Sequence, residues 1–188
     1  MPKQENNIVM KSTRGMFGKQ VVFKEKAGEA YVSAPPKVDK NRKPTDSQSV
    51  VRKKFRISTA YANAVVKNAD LKKEYAAKAK RGRSAHNVAL QDAFNAPEIL
   101  GIIRQGYQGR IGDIIVVQAL DDFRVTGVQV AIYTMDNELV EQGAAVLDAN
   151  GLNWIYTATE DHIALEGSTI KATAKDLPGN EGSLEVIL

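Results

Sequence analysis

Two periodicities divide the chain. From Thr45 to about Asn95 apolar residues recur every three or four positions, the spacing of one helical face, and from Ile99 onward short apolar runs with strand spacing take over. Thr45 with Gln48 three residues on reads as a capping box, so a helix is predicted from about Asp46 to Lys67. On it Val51, Phe55, Ala62 and Val65 share one face, flanked by Val50, Ile57, Tyr61 and Ala64. Arg52, Arg56, Asn63 and Lys67 lie opposite. A second helix is expected from about Ala69 to Arg81, burying Leu71, Tyr75 and Ala79 and stopped by Gly82. A third starts at the cap Ser84, buries Ala89, Leu90, Ala93 and Phe94, and ends before Pro97.

Seven strands are then predicted: Ile99 to Ile103, Ile114 to Ala119, Val125 to Ile132, Leu139 to Ala145, Trp154 to Thr157, Ile170 to Ala174 and Leu184 to Leu188. Met135-Asp136-Asn137, Asp148-Ala149-Asn150-Gly151 and Pro178-Gly179-Asn180 supply turns between them. This many short strands in some 90 residues is the pattern of a β-sandwich, with Trp154 and Tyr156 on one face of their strand. Upstream, Ile8 to Lys11, Gln20 to Lys24 and Ala30 to Ser33 are strand-like, punctuated by Gly15, Gly18 and Gly28. The stretch from Val21 to Val32 is the clearest hairpin. Pro35-Pro36 and the polar run from Lys37 to Pro44 read as an extended linker.

Charge follows the same division. Residues 1 to 100 carry 21 Lys and Arg against 9 Asp and Glu, a net +12, whereas 101 to 188 carry 5 against 13, a net −8. The whole-chain +4 therefore hides two opposed halves, and the reading is two modules: a basic hairpin and helical attachment region, 1–97, and an acidic sandwich, 98–188. The fold class is α+β. Cysteine is absent, which excludes disulfides, thiolate zinc sites and cysteine nucleophiles. The start has no apolar signal segment and no run approaches the roughly 18 apolar residues of a membrane span, so the expectation is a cytoplasmic product or one exported by a leaderless route.

Candidate chemistry is sparse. Lys78, Lys80, Arg81 and Arg83, extended by Arg52, Arg56 and Lys67, are the candidate surface for nucleic-acid backbone or an acidic partner. The same residues also suit a solvated helix face. Gly15-Met16-Phe17-Gly18-Lys19-Gln20 has the glycines of a phosphate loop, but the spacing is too short and Gln20 stands where a hydroxyl is needed; a turn is expected. His86 and His162, 76 residues apart, have no neighbouring ligand or triad pattern. Asp121, Asp122, Asp136 and Asp176 fall near predicted strand ends, where carboxylates can gather around calcium, yet no calcium-loop spacing joins them. No catalytic residue, cofactor or metal is assigned, and the chain is read as not an enzyme.

The second half resembles bacterial immunoglobulin-like and fibronectin-like modules. The residues that carry the likeness are Ala119 to Val130, Trp154-Ile155-Tyr156, and Ala172-Thr173-Ala174-Lys175-Asp176-Leu177-Pro178-Gly179-Asn180 before a last strand. It implies a seven-strand immunoglobulin-like sandwich in which that last turn joins the final two strands; activity does not follow from it. The first half is similar to the amino-terminal region of uncharacterised Bacteroidota proteins, on Lys11 to Phe23, Tyr75 to Ala79 and Ser84 to Pro97. The leading expectation is a non-enzymatic structural or protein-interaction protein, its basic half for attachment or assembly and its sandwich as the presented module. Its partner is another protein or a second copy. The alternatives are nucleic-acid binding through the basic helices, and a leaderless component or cargo of a phage-tail-like contractile injection particle.

Overall fold

The computed structural model describes residues 13–26, 29–36, 43–80 and 82–188. The chain divides into two compact units, Met1–Thr45 and Asp46–Leu188. In the first, β1 (Gly15–Phe17), β2 (Val21–Lys26) and β3 (Glu29–Ser33) form an antiparallel sheet in that order. Gly18 and Lys19 both stand at φ 58°, and Gln20 N donates to Phe17 O at 3.1 Å, closing a two-residue hairpin turn. The glycines of Gly15–Gln20 thus serve a turn, as expected. The predicted strand at Ile8 to Lys11, Gly28 and the middle of the linker lie outside the described residues.

The second unit contains α1 (Asp46–Lys67), α2 (Ala69–Lys78), α3 (Ala85–Phe94), β4 (Glu98–Ile103), β5 (Ile114–Leu120), β6 (Val125–Tyr133), β7 (Leu139–Leu147), β8 (Asn153–Thr157), β9 (Thr169–Asp176) and β10 (Glu181–Ile187). The Asn68 side chain accepts from Asp70 N and Leu71 N, fixing the start of α2, and Ser84 Oγ accepts from Asn87 N to start α3. Helix α2 ends three residues before the predicted Arg81, because Ala79 turns extended and leads into Gly82 at φ 84°.

The seven strands run in the order β10-β9-β6-β7-β8-β5-β4, all neighbours antiparallel. Strand β7 is shared: residues up to Ala145 pair with β6, and Val146 and Leu147 pair with β8. This folds the sheet into two layers, β4-β5-β8 and β6-β9-β10, and brings its ends nearly together. A Cβ on Gly182 of β10 would stand 1.9 Å from Pro97 O beside β4, so only glycine lets the two edges close. Between the layers Ile115, Val117, Val130, Ile132, Ile170, Ala172 and Ala174 are fully buried, with Trp154 and Tyr156 beside them.

The helices bury a second cluster, Ala62, Val65, Tyr75, Val88 and Ala89, which is completed by Phe123 and Leu177 from loops of the sandwich. The Tyr75 and Phe123 rings stack at 4.0 Å between centroids. The boundary expected at 97/98 therefore falls inside one unit. Three short helices enclose too little apolar surface by themselves, and the sandwich loops supply the rest. Val51 and Phe55, expected in the core, are 53% and 52% exposed. Helix α1 is about 33 Å long and α3 about 15 Å. Ser58 Oγ donates to Ala93 O at the end of α3, so the turns of α1 before Ser58 run past their partner.

Candidate functional site

Among the described residues a group of buried polar side chains lies where α3 meets the loops after β5 and β9. Asp92 follows Val88 by four residues and so shares the inward stripe of α3, where it is completely buried. Tyr75 of α2 donates its hydroxyl to Asp92 Oδ2, and the Tyr61 and Tyr75 hydroxyls are 2.9 Å apart. Asp121 Oδ2 accepts from Phe123 N (3.0 Å) and Arg124 N (2.8 Å), shaping the loop that delivers Phe123 to the helices. Asp176 Oδ1 accepts from Gly179 N and Asn180 N, and its Oδ2 from Asn180 Nδ2. Asn180 Nδ2 also reaches Asn95 O at 3.2 Å, so the turn between the last two strands is fastened to the end of α3.

These loops bring one carboxylate oxygen from each of Asp92, Asp121 and Asp176 within 4.8 Å of one another. Burial pushes the Asp92 carboxyl up to about 7, against the lowering effect of the Tyr75 bond and with further raising from the adjacent Asp121 and Asp176. Asp176 is also raised, chiefly by burial, the three hydrogen bonds it accepts only partly offsetting that. Tyr75 is raised as well, by burial first and by Asp92 second, so it stays a donor at neutral pH.

Of the carboxylates singled out from sequence, Asp121 and Asp176 meet here and the others do not. Asp122 accepts from Gln91 Nε2 (3.2 Å) and Asn95 Nδ2 (2.6 Å), a second fastening between loop and helix, while Asp136 lies exposed in the turn after β6. Asp92 was not singled out. Its signal was present: an Asp amid Val88, Ala89, Ala93 and Phe94, with no cation a helical turn away.

The basic residues separate into different roles. Arg52, Arg56 and Lys67 are exposed on the side of α1 opposite Ala62 and Val65. Lys78 donates its ammonium to Phe123 O and lies 4.6 Å from the centre of the Phe123 ring, so its charge is spent within the fold. Lys80 and Arg83 are exposed in the connector to α3, and Arg81 lies outside the described residues. His86 Nε2 meets Asn63 Oδ1 at 3.1 Å and His162 Nε2 meets Ser168 Oγ at 2.8 Å, each in a separate local contact.

The sandwich has a second notable surface. In β4, β5, β8 and β7 the register aligns Ile103 with Val116, Val116 with Ile155, and Ile155 with Val146. The four form a continuous apolar row across four strands on the outer side, facing away from Ile115, Val117, Trp154 and Tyr156. Val146 is 72% exposed. Strands β5 and β8 contain no charged residue. The outer side of β9 and β10 is the opposite case, with Lys171 paired to Glu185 at 2.8 Å and Lys175 to Glu181 at 3.5 Å.

No family profile, curated protein or solved structure matches the chain. Among the described residues no helix is long and apolar enough to cross a membrane.

Proposed function

We propose that this chain is a non-enzymatic structural protein that assembles with a second copy of itself through the outer face of β4, β5, β8 and β7. The observation that carries the reading is the uncharged row Ile103, Val116, Ile155 and Val146 beside a sister face dressed with ion pairs. Contiguous exposed apolar surface is costly in water and marks contact sites. Two copies related by a two-fold axis would stack these rows without burying a charge, which favours an identical partner. The pairings of β5 with β8, β6 with β9 and β9 with β10 support an immunoglobulin-like sandwich as the presented module, since that fold sets its second strand beside its fifth and its third beside its sixth.

Sedimentation velocity over a range of concentrations tests the proposal. A dimer is expected that persists in high salt and dissociates in Val146→Lys, while Thr173→Lys on the other face leaves it intact. A monomer at every concentration overturns it. So does association that disappears in high salt together with copurified nucleic acid, an outcome that would favour backbone binding by Arg52, Arg56 and Lys67.

A further inference from the structure

Asp92, Asp121 and Asp176 place three carboxylate oxygens within 4.8 Å at the junction of α3 with two sandwich loops. Hydrogen bonds account for one oxygen of Asp92, one of Asp121 and both of Asp176. The remaining two, Asp92 Oδ1 and Asp121 Oδ1, are buried and accept from no N–H or hydroxyl donor, and Asp92 as a residue has no solvent exposure at all. The two carboxyls approach closely enough to interact directly. Buried oxygens of ionisable groups are found paired, protonated or bound to a cation. Among the described residues no Lys, Arg or His forms a salt bridge with any of the three. Two cations that contact or adjoin Phe123 of the Asp121 loop are committed elsewhere, Lys78 to Phe123 O and Arg124 to Glu74 at 3.3 Å.

We propose that Asp92, Asp121 and Asp176 bind a divalent cation of the calcium type. The ligand set is hard oxygen throughout, which excludes the thiolate and imidazole chemistry of zinc and copper. Oxygens bound at about 2.3–2.6 Å stand up to about 5 Å apart across calcium, so three oxygens within 4.8 Å are accommodated, whereas magnesium keeps several of its waters and is usually held by one or two carboxylates. Asp121 is only partly buried as a residue, although its Oδ1 is buried, so the site lies beneath the margin of this joint. The ion would tie α3 to the loops after β5 and β9, reinforcing the joint already made by Asp122 and Asn180. None of these residues belongs to the apolar sheet row, so this inference and the self-association reading succeed or fail separately.

The test uses the full chain stripped with EDTA. Calorimetric titration with calcium chloride is expected to give one ion per chain. At a calcium concentration about a hundredfold above Kd the melting temperature rises by about 5–10 °C. Terbium bound at the site is excited through Tyr75, and calcium displaces its emission; this readout needs no variant and stands if substitution disturbs folding. Asp121→Asn weakens binding about tenfold or more, while Asp136→Asn in the exposed turn after β6 leaves it unchanged. No heat, no melting shift and no displaceable terbium emission up to about 5 mM calcium, beyond the range of weak extracellular calcium modules, overturns the proposal, as does unaltered binding in Asp121→Asn.

Discussion

Asp113 illustrates how single polar residues hold the loops of this fold. Its Oδ2 accepts from Gln108 N at 2.7 Å and Arg110 N at 2.9 Å, organising the turn that leads into β5. Those two backbone donors hold its carboxyl below the usual carboxylate range. A folded-state value below the unfolded one means the stabilisation is present above the unfolded value and is lost as pH falls through the folded one. Asp113→Ala should therefore lower the urea midpoint at pH 7, and the gap from the parent should close at strongly acid pH. Equilibrium unfolding at pH 7 and below pH 3 measures this. Asp121 and Asp176 also accept from nearby backbone N–H groups, there two to four residues after the carboxylate and not before it as at Asp113. Elsewhere a buried carboxylate is held by another strand and the segment just after it: Glu141 Oε2 accepts from Tyr156 Oη and from Thr159 N and Oγ1, and burial pushes Tyr156 up to about 12.

At the scale of elements, helix α1 separates what a pattern specifies from what packing uses. Val51, Phe55, Ala62 and Val65 follow one apolar stripe, but only Ala62 and Val65 meet α2 and α3. Phe55→Ala should change stability by less than about 0.5 kcal/mol, as surface substitutions do. Val65→Ala removes two methyl groups from a closed cluster and should cost about 2 kcal/mol, counting transfer and cavity together. Chemical denaturation of both variants gives the comparison, and similar costs would mean that α1 is covered along its whole length. Among strands, the alternation of β6 and β9 identifies their inward residues, whereas the outer faces of the two layers differ in a way that only register reveals. Ile103, Val116, Ile155 and Val146 come from four separated segments, and no stretch of sequence marks them as neighbours.

For the whole molecule, the charge boundary and the folding boundary do not coincide. The basic helices and the acidic sandwich belong to one unit because Phe123 and Leu177 complete the helical cluster and Asp122 and Asn180 fasten α3 to the loops. A consequence follows for unfolding. Trp154, the sole tryptophan, reports on the sandwich core, and ellipticity at 222 nm reports on the helices. If both layers form one cooperative unit, the two signals should give coincident urea transitions. Two separate midpoints would show that helices and sandwich unfold independently. The helical segment 46–100, with 11 Lys and Arg against 5 Asp and Glu, and the acidic sandwich thus bring opposed charge into one unit, whose helical side presents Arg52, Arg56 and Lys67 to solvent.

Local physics determined much of this protein from sequence alone. Helical and strand spacing, the Ser84 cap, the Gly18 turn and the stop before Pro97 depend on residues within a few positions of each other, and so all three helices and seven sandwich strands were legible. Three matters were decided only in the tertiary structure, because each depends on residues far apart in the chain. They are the placement of the helices on the sandwich through Phe123, the convergence of Asp92 with Asp121 and Asp176, and the alignment of one apolar side chain from each of four strands. Spacing reports which side of an element a residue occupies; what stands opposite that side is fixed by the packing of distant segments, where burial and charge are settled.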